Sequence, residues 1–174
     1  MPRAEAMLRR VEDLLHALGC TALVVVAVLI NADIISRVVG LRPLEMQFEL
    51  TELYLMPSLA TLSLARVFRD GGHLALEVDT PSLLGPLWPV VRRLVLAASA
   101  AFFLTVAYVS GRHAVEAFAK GSIEFGVIDW PLGWAYLPVP VGTGLLAVRL
   151  LVELVKRGAP SALATNTGGD INEI

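Results

Sequence analysis

The sequence predicts an all-α integral membrane protein on three observations. Of its 174 residues, 56% are hydrophobic and only 17% are charged, against roughly 45 to 50% and roughly 25% in an average soluble domain. Mean hydropathy is +0.68. The apolar residues gather into four runs, and about 20 helical residues at 1.5 Å each cross the roughly 30 Å hydrocarbon layer. Net charge is only −2, with signs interspersed, so no nucleic-acid surface is expected.

The first span is expected near residues 16–37, preceded by Arg9, Arg10, Glu12 and Asp13 and stopped near Gly40 and Pro43. It is expected to remain as an anchor, because the polar stretch before it is long and no small-residue cleavage site follows it. The second span, near 49–67, ends at "RVFRDGG", where Gly71 and Gly72 break the helix. The third, near 91–111, and the fourth, near 131–153, are preceded by or begin with Trp-Pro, an interface residue followed by one that suits a helix's first turn. Residues 112–129 are expected to prolong the third helix by a turn or two and break near Gly121 or Gly126. Residues 1–158 thus form a single four-helix transmembrane domain, and 159–174 a flexible cytoplasmic tail. The segment 70–89 reads as partly amphipathic, lying along the membrane surface.

Ten Lys and Arg residues, namely Arg3, Arg9, Arg10, Arg66, Arg69, Arg92, Arg93, Arg149, Lys156 and Arg157, fall on one side of this topology; Arg37, Arg42, Arg112 and Lys120 fall on the other. The positive-inside rule then places both termini in the cytoplasm.

Polar residues within the spans carry what chemistry there is. Asp33 precedes Arg37 by four residues on one helical face, and Glu49 and Glu52 open the second span at the same level. An arginine facing these carboxylates offsets charges that would each cost roughly 3 kcal/mol if stranded in lipid. Cation binding or proton relay by Asp33, Glu49 or Glu52 is the functional alternative. The histidines, His16, His73 and His113, lie at depths that no two can share for one haem iron. Cys20 has no partner for a disulfide and is expected to be a small packed residue. Pro57, Pro138 and Pro140 are expected to bend their helices. "AASAA", with Ala97 and Ala101 four apart, offers a small-residue packing face. No nucleophile set, phosphate loop or metal-ligand spacing is present, so neither an enzyme nor a cofactor or metal site is expected.

Four apolar helices, the arginine of "IISRVVG", the acidic entry "FELTELYL", the stretch "ATLSLARVFRDGGHLALEVD" and the final "WPLGWAYLPVPVGTGLLAVRLL" together resemble the small membrane subunit of tripartite ATP-independent periplasmic (TRAP) transporters, the DctQ-like family. The resemblance covers roughly residues 10–155. It aligns Arg37 with the family's arginine closing helix one, Glu52 with the glutamate opening helix two, and His73 with the histidine after it. It implies a scaffold in the bacterial inner membrane, paired with a large membrane subunit. That partner carries the substrate and sodium sites, and a periplasmic binding protein delivers an organic acid. Asp33, Arg37, Glu49, Glu52 and His73 become structural or partner-interface candidates. Two other classes stand beside this one: a self-sufficient dimeric small exporter, for which Asp33 is the one deep carboxylate, and the membrane anchor of a redox enzyme.

Overall fold

The computed structural model describes residues 2–71 and 87–155. The surface segment expected at 70–89, apart from its ends, His73 and the tail at 159–174 lie outside the described residues.

Helix α1 (Pro2–Val38) is 37 residues long, about 55 Å at 1.5 Å per residue. It starts well before the expected residue 16, because "AEAMLRR" contains only good helix formers and neither glycine nor proline after Pro2. Gly40 ends it at φ +80°. The Gly40 N–H donates to the Arg37 carbonyl at 3.2 Å and the Leu41 N–H to that of Ser36 at 2.8 Å, the paired bonds of a left-handed helix stop.

The second run occupies residues 45–69 in four pieces. Helix α2 (Glu45–Leu50) passes through a π turn (Thr51–Leu55) into α3 (Met56–Leu62), and Ser63 separates this from α4 (Leu64–Arg69). Pro57 explains the π turn. It offers no N–H to the carbonyl four residues earlier and its ring crowds that position, so the ladder just before it widens by a residue. The bend expected at Pro57 is therefore a widened turn.

Helix α5 (Trp88–Lys120) has Pro89 in its first turn and stops at Gly121, φ +58°. The expected prolongation beyond residue 111 thus ends at the first of the two glycines named for it. A two-stranded antiparallel hairpin follows, β1 (Ile123–Glu124) with β2 (Trp130–Pro131), pairing Ile123 with Pro131. Trp130 and Pro131 accordingly belong to the hairpin, and the fourth run starts after them as α6 (Leu132–Tyr136), then α7 (Pro138–Val155).

Among the described residues, three stretches are long and apolar enough to cross a membrane as they stand: Glu5–Val38, Trp88–Lys120 and Leu132–Val155. The second run is interrupted too often to qualify as one helix. Helices satisfy their own backbone groups, which lipid cannot do, so a mostly helical chain of this hydropathy is a membrane protein.

The most extensive contact is between α5 and α7, with α3 lodged between α1 and α7. Ala65, Leu96, Ala100, Leu146 and Leu150 form the buried core. The packed small residue of "AASAA" is therefore Ala100; Ala97 and Ala101 are exposed, one position off the face that meets α7. Cys20 is likewise exposed on α1, because the buried side of that helix passes through Gly19, Ala22 and Val26. At Gly19 an added Cβ would sit 2.7 Å from Ser63 Oγ.

Candidate functional site

Charged groups of the bundle collect at its two ends. At the end carrying the amino terminus, Glu12 of α1 is fully buried beneath two arginines from different helices. Arg69 donates from Nη1 to Glu12 Oε2 at 2.8 Å, and Arg149 of α7 places Nη1 3.6 Å from Glu12 Oε1, a charge contact without a hydrogen bond. Arg69 also reaches Asp13 at 2.7 Å and Asp70 at 3.1 Å. That bond holds the Asp70 carboxyl below the usual carboxylate range. Arg92 meets Glu153 at 3.4 Å, joining α5 to α7. One carboxylate thereby ties α1, α4 and α7 together.

At the hairpin end, Asp33 is buried and each of its carboxylate oxygens is engaged. Its Oδ2 accepts from Arg37 Nε at 2.9 Å and its Oδ1 from the Leu44 backbone N–H at 2.9 Å. The carboxylate therefore closes the α1–α2 loop as well as pairing with Arg37. The expected meeting of Arg37 with Glu49 and Glu52 does not occur. Glu49 turns to the hairpin instead, accepting from the Val127 N–H at 2.9 Å and from Trp130 Nε1 at 2.6 Å. A Cβ at Gly126 would fall on the Glu49 carboxylate, so the glycine leaves room for that seat. Tyr54 reinforces the junction: its hydroxyl donates to the Pro131 carbonyl at 2.8 Å and its ring centroid lies 5.5 Å from that of Trp130. Glu52 is exposed beside Asp33 and Arg37 in a groove between α1 and the second run.

Glu49 is thus the anchor of the hairpin. Glu49→Ala is expected to leave the helices intact while freeing the Trp130 indole, giving a red-shifted tryptophan emission and proteolytic cutting near residues 125–129. Unchanged emission and cutting would count against it. Gly126→Val should reproduce the same changes by displacing the carboxylate.

His16 Nε2 lies 3.5 Å from Cys20 Sγ, near the amino-terminal cluster, whereas His113 is exposed near the hairpin end of α5. Among the described residues no group of three His, Cys, Asp or Glu is arranged to hold a metal ion. Of the five residues singled out by sequence, Asp33 and Arg37 pair directly and Glu52 lines the same groove. Glu49 serves a different element, and His73 is not described. The amino-terminal cluster was missed. Its signal was Arg149, a charge set among apolar residues in the last helix, together with Glu12 and Asp13 at the depth that topology assigns to Arg66 and Arg69.

Buried charges that join the chain's own elements, in a mostly helical chain with membrane-length apolar helices, define a helical membrane component. The family model for the DctQ component of tripartite ATP-independent periplasmic transporters matches residues 26–158, and the chain belongs to that family. No curated protein and no solved structure matches it significantly.

Proposed function

We propose that this chain is the scaffold subunit of a TRAP transporter, pairing with the large membrane subunit for sodium-coupled uptake of an organic acid delivered by a periplasmic binding protein. It sits in a bacterial inner membrane as a single four-span domain with both termini cytoplasmic. One observation carries the reading: only 22% of the apolar window of α1 and 11% of that of α5 are buried within the chain. The buried charges Glu12, Asp33 and Arg149, by contrast, are spent internally. Asp33, the carboxylate an independent exporter would need, already accepts two hydrogen bonds and has little capacity left to take up and release a substrate cation. What the chain offers is apolar helix surface, which suits lipid and a larger partner.

Of the partner-interface candidates, Asp33, Arg37 and Glu49 serve the chain's own fold, and Glu52 is the one whose carboxylate is left outward. His73 stays a candidate on the family resemblance. The test is to tag the chain in its native host, solubilise gently and identify what co-purifies by mass spectrometry. A large multi-helix protein in fixed proportion is expected. Recovery of the chain alone, as a dimer in several mild detergents, would defeat the scaffold reading.

A further inference from the structure

The groove between α1 and the second run has a volume of about 570 Å³ and is open to the side. Its floor holds two polar side chains that are more than nine-tenths buried, Gln47 at 6% and Thr51 at 9% exposure. Neither Gln47 Oε1 nor Thr51 Oγ1 has a hydrogen-bond partner. Thr51 is unusual in this respect. Thr21, Thr61, Thr105 and Thr143 each donate to the carbonyl four residues back, as threonine commonly does inside a helix. Thr51 does not; it opens the π turn, an irregularity frequent at functional sites.

The charge of the groove is also unbalanced. Arg37 is committed to Asp33, which leaves the exposed Glu52 as surplus negative charge. Both unpartnered oxygens can accept a hydrogen bond, so together with the Glu52 carboxylate they suit a cationic group that carries several donors. Depth narrows the choice further. Asp33 takes the Leu44 N–H, which puts the rim at Leu44; Thr51 lies seven residues on, about 10 Å along the helix at 1.5 Å per residue. A headgroup resting at the rim falls short of it, whereas a long basic side chain entering from a neighbouring helix spans that distance.

We propose that this groove receives a lysine or arginine of the large membrane subunit, a site that rests on the scaffold reading above. The donors of that side chain meet Gln47 Oε1, Thr51 Oγ1 and the Glu52 carboxylate, and its methylene stem lies against Phe48 and Met56, which also line the groove. A buried cation is tolerated in a membrane when it is paired in this way.

The experiment uses the complex of both membrane subunits, co-expressed and purified by a tag on this chain. A photo-reactive phenylalanine analogue at position 56 is expected to cross-link the large subunit, within one helical turn of a lysine or arginine. Glu52→Lys is expected to lower recovery of the large subunit about tenfold, the equivalent of 1.4 kcal/mol. Replacing the cross-linked basic residue by glutamate should restore it. If the untouched chain recovers no large subunit, the scaffold reading itself fails. If the complex forms but position 56 cross-links only phospholipid, or Glu52→Lys leaves recovery unchanged in a normally eluting protein, the groove assignment is overturned while the scaffold reading stands.

Discussion

Glu12→Ala is expected to be among the most damaging single substitutions in this chain, lowering stability by about 3 to 5 kcal/mol, the usual result of removing one partner from a buried ion pair. Glu12 is wholly buried between Arg69 and Arg149. Arg69 would keep Asp13 and Asp70. Arg149, only 7% exposed, would lose the one carboxylate within ion-pair distance of it among the described residues. The penalty is therefore the stranded guanidinium on α7 more than the lost bond on α4. Total stabilities of roughly 5 to 15 kcal/mol make such a loss visible as poor recovery of folded protein.

Two companion variants locate the effect. Glu12→Leu combined with Arg149→Met removes both charges and is expected to recover much of the stability, since an apolar replacement of a buried pair is often neutral or better. Arg112→Ala breaks an exposed pair with Glu116 within α5 and should change stability by under about 0.5 kcal/mol. Thermal unfolding in detergent, read as loss of the monodisperse elution peak, orders the three. Equal midpoints for Glu12→Ala and Arg112→Ala would show that the cluster does not lock the bundle.

The contrast between the two ends explains what was legible from sequence. Asp33 and Arg37 lie four apart on one helix, so helical geometry alone predicts their meeting, and the structure has it. Glu49 binds groups 78 and 81 residues further along, and no local rule leads to that hairpin; depth in the membrane suggested Arg37 instead. Glu12 needs α1, α4 and α7 placed together. Helix positions followed from apolar runs and from glycine stops, Gly40 and Gly121 above all. The π turn was legible only as a disturbance around Pro57. Which small residues face inward depends on rotation about the helix axis. A shift of one residue, about 100°, separates the expected Ala97 and Ala101 from the buried Leu96 and Ala100.

Gly142→Val is the second substitution expected to disrupt the bundle. Here the close approach involves backbone: a Cβ at Gly142 would collide with the Thr61 carbonyl oxygen and lie 2.9 Å from Thr61 Cβ. Thr61 cannot readily withdraw. Its hydroxyl is hydrogen-bonded to the Pro57 carbonyl at 2.7 Å and lies 3.0 Å from that of Pro138, so it joins α3 to the start of α7 at the level of the crossing. Forced separation would open the contact that seats the second run against the last, and overpacking of this kind costs about 1 to 3 kcal/mol or more. Gly144 lies on the same helix with quite different surroundings, its nearest neighbour being Ala107 Cβ at 3.8 Å, an ordinary contact. Gly144→Ala should therefore be neutral or stabilising, by up to about 1 kcal/mol from helix propensity. Gly142→Ala should already lower the unfolding midpoint, and Gly142→Val should lower it further. The sign difference between two glycines two residues apart can come only from what each faces. If alanine at 142 and at 144 gave the same midpoint, the close crossing of α3 and α7 would not exist in the membrane.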